Sequence, residues 1–301
     1  MDDLKYVYAD QNFLIECRDI PEWRETVISA HKANKALFVL SPIHFYEIGT
    51  VQTEKYEKTI HFVEELQPVW ILSRADLQLY EFRDEWNRFW RQEDANFQPY
   101  GDLAYMTSAF FRKSSRCFDE VTPRSFIEPF RNPNSNQDLR KVISMNGSAN
   151  EKNRLKYKSG SMSPAFYKEI QRQYVARQIA RLDEEDGTYE AVNRIARELL
   201  ADLDFFRKIS IFIENGSMQR LKAYVVESVL TAKRWAGKAK LNENRFIDRE
   251  HAVSALSYCN FFITTDAELS QHCQAVSDTC GFAIAKVLDG KSWIEHLQKK
   301  L

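Results

Sequence analysis

Four acidic residues stand at positions where their surroundings give them chemistry to do. Asp10 ends the strand-like run Lys5-Tyr6-Val7-Tyr8-Ala9, and Asp266 directly follows Phe261 to Thr265. Glu47 comes two helical turns after the apolar run Ala36-Leu37-Phe38-Val39-Leu40, and Asp248 is expected to open the helix before the Phe261 run. These runs are short and rich in β-branched and aromatic residues, the pattern of strands buried in a parallel sheet. Open parallel sheets hold their ligands outside the carboxyl ends of the strands, so the four carboxylates are expected to converge on one edge. Crowded carboxylates repel and raise one another's pKa, and a hard divalent cation relieves that repulsion. Oxygen-only ligation favours Mg²⁺ or Mn²⁺. Such an ion polarises a phosphodiester, activates a water and stabilises the leaving oxygen.

The elements that must position these acids alternate at both ends of the chain. After the second strand, Ser41-Pro42 supplies an N-cap and a proline for the first helical turn, and a helix is expected over Ile43 to Val51. Beyond Phe246 the rhythm returns: helix over Asp248 to Tyr258, strand over Phe261 to Thr264, helix over Ala267 to Thr279, strand over Phe282 to Ala285, and helix over Gly290 to Leu297. Residues 76–240 read differently. Leu79, Phe82, Trp86 and Phe89 follow helical spacing, Ser163-Pro164 opens a stretch to Leu182, and Tyr189 to Ile213 and Met218 to Trp235 continue the pattern. The expected fold is α/β, a central parallel sheet flanked by helices, built from residues 1–75 and 241–301 and interrupted by a large all-helical insertion over 76–240.

At the acids the chain resembles the PIN-domain nucleases. Three pieces carry the likeness: Val7-Tyr8-Ala9-Asp10-Gln11-Asn12, a strand ending in Asp-x-Asn; Ser41 followed six residues later by Glu47; and Asp248-Arg249-Glu250-His251-Ala252 leading to Phe262-Ile263-Thr264-Thr265-Asp266. The resemblance covers about residues 1–70 and 240–301 and none of the middle. It implies a PIN-like sheet, with Asp10, Glu47, Asp248 and Asp266 as catalytic, metal-binding acids around Mg²⁺ or Mn²⁺. Asn12 and Thr264 would support that site. His251, one turn beyond Asp248, is expected to be a satisfied packing residue, with buttressing of an acid as its alternative.

Other chemistries find little in the sequence. Gly-x-Ser-x-Gly elbows, Walker-type phosphate loops and Gly-x-Gly-x-x-Gly turns are absent. Cys259, His272, Cys273 and Cys280 lack the close paired spacing of structural zinc. Five scattered cysteines, no long apolar run and the start Met1-Asp2-Asp3 lead to the expectation of a cytoplasmic chain without a membrane partner. The apolar content of 44%, with only 9 Gly and 8 Pro, excludes a disordered chain. The net charge of −1 hides an asymmetry: residues 112–181 hold fifteen Lys or Arg against six acids, which leaves the remainder strongly acidic. Within that segment Lys152, Arg154, Lys156 and Lys158 alternate around Tyr157, a composition suited to phosphates and a stacked base. A solvated loop or an interface between copies in a homo-oligomer is the alternative use. The expectation is therefore a metal-dependent nuclease acting on single-stranded nucleic acid, RNA ahead of DNA. The alternative is a non-catalytic nucleic-acid-binding or assembly module with the same fold.

Overall fold

The computed structural model describes residues 5–94, 97–103, 122–132, 204–236, 243–277, 279–280 and 282–299. Lys152, Arg154, Lys156, Tyr157 and Lys158 lie outside the described residues, as does the helix expected to start at Ser163-Pro164. Six strands form one sheet: β1 (Tyr6–Ala9), β2 (Leu37–Leu40), β3 (Val69–Ile71), β4 (Tyr100–Gly101), β5 (Phe261–Thr264) and β6 (Lys286–Asp289). Their order is β4-β3-β2-β1-β5-β6, parallel throughout except for the antiparallel β3–β4 pair. Val7, Tyr8 and Ala9 are almost wholly buried, as expected of a central strand covered by helices on both faces. The fold is thus α/β with a mixed, mostly parallel sheet.

The helices on either side are α1 (Gln11–Asp19), α2 (Pro21–Lys32), α3 (Pro42–Thr50), α4 (Thr53–Leu66), α5 (Arg74–Arg91), α6 (Pro123–Ile127), α7 (Phe205–Glu214), α8 (Lys222–Ala236), α9 (Glu243–Tyr258), α10 (Ala267–Ser277) and α11 (Gly290–Gln298). Pro21 cannot continue α1 because it lacks an N–H, but it suits the first position of α2. Ser41 and Pro42 do the same for α3, where the His44 ring also returns to the Ser41 backbone N–H at 3.0 Å. None of the helices among the described residues is long and apolar enough to cross a membrane.

Three expectations differ from what is observed. The last strand falls on Lys286–Asp289, not on Phe282 to Ala285. As the edge strand, β6 bonds to β5 alone and is only partly covered, so it needs no apolar run; Phe282 and Ile284 instead pack against the core on the way to it. Helix α9 starts at Glu243, which places Asp248 in its second turn and not at its opening. Buried Phe246 and Ile247 explain the extension, since packing holds a turn that local signals did not mark. Finally, β4 lies inside 76–240, so the described part of that segment is not purely helical. Leu77, Leu103, Phe126, Ile127, Ala223 and Val226 from the same range join one hydrophobic core with the sheet.

Candidate metal centre

Strand register brings two of the acids together. Ala9 lies opposite Ile263 in the β1–β5 pair, and the Asp10 backbone N–H extends the ladder to Ile263 O at 3.0 Å. Asp10 therefore stands beside Thr264, just past the carboxyl ends of both strands. From there β1 leads to β2 on one side and β5 leads to β6 on the other, the branching that opens a crevice in an open parallel sheet.

Each aspartate caps the helix that follows it. Asp10 Oδ1 accepts the Phe13 N–H at 2.7 Å, and Asp266 Oδ1 accepts the Leu269 N–H at 2.8 Å. Such caps satisfy N–H groups that have no partner within the helix. Thr264 links the pair: its hydroxyl donates to Asp10 Oδ2 at 2.5 Å and accepts the Asp266 N–H at 3.0 Å. Asn12, in the first turn of α1, is exposed.

Glu47 reaches the same edge from α3. Its Oε2 meets His251 Nε2 at 2.7 Å, and His251 Nδ1 meets the Tyr8 hydroxyl at 2.8 Å. His251 is buried, as expected, and both of its ring nitrogens have polar partners. Gly49, two residues on, lets the 3₁₀ turn Glu128–Arg131 press against α3: a Cβ there would lie 2.5 Å from Phe130 Cβ. Asp248 is half-buried on α9. Cys273, buried on α10, has its thiol pushed up first by burial and then by the charges of Asp248, Asp10 and Asp266.

The electrostatics follow from desolvation. Burial raises Asp10 from 3.8 to about 6, with the Thr264 and Phe13 hydrogen bonds pulling the other way. Burial likewise raises Glu47 from 4.5 to about 7. It lowers His44 to about 3 and His251 to about 4, so both rings are neutral at physiological pH. Among the described residues no lysine or arginine pairs with Asp10, Glu47 or Asp266. Gln11, the residue after Asp10, buries both carboxamide atoms without a hydrogen-bond partner among the described residues. Poorly compensated carboxylates suit a small cationic ligand. The oxygen donors fit Mg²⁺ or Mn²⁺.

His44, Glu47 and His251 offer a second donor set, their ligand atoms lying within 4.8 Å of one another. His44 has little to give it. Its Nε2 lies 2.9 Å from the Ala9 carbonyl and its Nδ1 accepts the Ser41 N–H, so both ring nitrogens are engaged by backbone. Ser41 entered the sequence reading only through its spacing to Glu47, and nothing in the sequence marked Tyr8 or His44 as neighbours of the acids.

No protein-family model, curated protein or solved structure matches the chain. Its chemistry has to be read from the side chains themselves.

Proposed function

We propose that the chain is a Mg²⁺- or Mn²⁺-dependent nuclease of the PIN-like class, hydrolysing phosphodiester bonds in single-stranded nucleic acid, RNA ahead of DNA. The observation that carries this reading is the Asp10–Thr264–Asp266 link at the branch point of the sheet, where buried Asp10 and half-buried Asp266 have no basic partner among the described residues. Asp10, Glu47, Asp248 and Asp266 would hold the ion, which when bound supplies charge for the phosphate and acidity for a water. The chain's own part is to fix these acids on rigid elements. Asp10 and Asp266 are held by their caps, Glu47 by His251, and Thr264 keeps the two aspartates at a set separation. The basic segment 112–181 would guide the polyanion toward an acidic core.

The caps made by Asp10 and Asp266 favour a second reading, in which these residues serve the fold and the protein binds nucleic acid without cutting it. Cleavage of single-stranded RNA and DNA in Mn²⁺, Mg²⁺ and EDTA separates the two. The nuclease reading expects metal-dependent cleavage by the wild type that Asp10→Asn, Glu47→Gln, Asp248→Asn and Asp266→Asn each lower by about a hundredfold or more. Retained binding without cleavage under any metal would establish the second reading.

A further inference from the structure

Tyr8 is wholly buried in the middle of β1, yet its hydroxyl has two polar partners, Ser41 Oγ at 2.5 Å and His251 Nδ1 at 2.8 Å. His251 uses its other nitrogen on Glu47. A continuous chain of hydrogen bonds therefore runs Ser41–Tyr8–His251–Glu47. It begins at the N-cap of α3, crosses β1 and α9, and returns to α3 six residues further on. Ser41, Tyr8 and His251 are each at most 3% exposed, whereas the Glu47 side chain keeps 17%, so the buried chain ends on the one member that solvent reaches.

We propose that His251, backed by Tyr8, is a positioning residue that fixes the Glu47 carboxylate for the metal. This rests on the metal-site reading above. A glutamate side chain has three torsions, and an ion that must order them binds more weakly than one meeting a carboxylate already held. A hydrogen bond to one carboxylate oxygen fixes those torsions and leaves Oε1 for an ion; Oε1 has no protein partner among the described residues. The imidazole is itself oriented, because the Tyr8 hydroxyl holds Nδ1 and directs Nε2 to Glu47. His44 assists from the other side, tying Ala9, and hence the start of Asp10, to the first turn of α3.

The test is Mn²⁺ titration of the full chain, read from the electron paramagnetic resonance signal of free Mn²⁺, with urea unfolding measured on every variant. His251→Leu is expected to weaken Mn²⁺ binding by about 10- to 100-fold. His251→Gln, which can still donate to Glu47, should recover most of that loss, and Tyr8→Phe should weaken binding several-fold in a protein that remains folded. Wild-type affinity in His251→Leu and Tyr8→Phe, whatever their stability, would overturn the positioning role and leave the metal site standing. No saturable Mn²⁺ binding by the wild type would overturn both. If His251→Leu does not fold, Tyr8→Phe decides alone, since unchanged affinity there breaks the chain at its middle.

Discussion

The Thr264 hydroxyl donates to Asp10 Oδ2 across 254 residues of chain. Because the Thr264 Oγ1 also accepts the Asp266 N–H, replacing the hydroxyl removes a partner from a buried carboxylate and from a backbone donor at once. Thr264→Val is expected to destabilise the protein by about 1–3 kcal/mol, while Thr264→Ser keeps most of that stability. Urea unfolding of the two variants checks this, with equal midpoints counting against the link.

Asparagine can replace either aspartate as a helix cap, but alanine cannot. Asp10 has a folded pKa of about 6, above its ordinary 3.8. Its protonated form is therefore favoured in the fold, and that stability is lost as pH rises through about 6. In EDTA near pH 8, Asp10→Asn should match or exceed the wild type, by up to about 3 kcal/mol, and the difference should vanish near pH 4. Asp10→Ala, without the cap, should lose about 1 kcal/mol relative to Asp10→Asn. Added Mn²⁺ should raise the melting temperature of the wild type but not of Asp10→Asn.

Protons and metal compete for the same oxygens. Asp10 is raised to about 6 and Glu47 to about 7, chiefly by burial. Mn²⁺ affinity should thus climb as pH rises through 6 and 7 and level off near pH 8, with log affinity changing by up to about 2 per pH unit on the acid side. Titration calorimetry in buffers of different ionisation enthalpy reads the released protons directly. An affinity independent of pH between 5.5 and 8 would exclude these two carboxylates as ligands.

Helix α9, which carries Asp248 and His251, is anchored by a part-buried ion network. Arg74 Nη1 lies 2.8 and 2.9 Å from the oxygens of Glu227, and Arg74 Nε lies 2.6 Å from Glu250. Burial alone would raise Glu227, yet Arg74 and Arg249 hold it at about 2. Arg74→Ala leaves two part-buried carboxylates with Arg249 alone and should cost about 1–3 kcal/mol. Arg74→Lys should recover only part, because an ammonium cannot form the same fork. Chemical unfolding near pH 7 reads both.

The basic segment gives a prediction with a different signature. Replacing Lys152, Arg154, Lys156 and Lys158 together with neutral residues should weaken single-stranded nucleic-acid binding and flatten the slope of log affinity against log salt by about three units. Tyr157→Ala should cost about 1–3 kcal/mol in binding with little change in that slope. A change in oligomer mass with the slope intact would assign these residues to an interface between copies.

Much of the site's outline was legible in the sequence, because strands, caps and helix starts are written in near neighbours. The apolar runs that became β1, β2 and β5, the Ser41-Pro42 start of α3 and the acids at strand ends all follow from local periodicity and capping chemistry. Edge strand β6 and the early start of α9 escaped because partial burial in one case and tertiary packing in the other removed the local signal. The sequence could not supply the adjacency of β1 and β5, which sets Asp10 beside Thr264, or the contact between His251 and Glu47, 204 residues apart. Those depend on which strands pair and in what register. Tyr8 makes the difference plain: within its own run it reads as one more apolar strand residue, and only when α3 and α9 close over β1 does its hydroxyl find Ser41 and His251. A polar atom inside a core must meet partners carried by other elements, and the packing of those elements settles which partners they are.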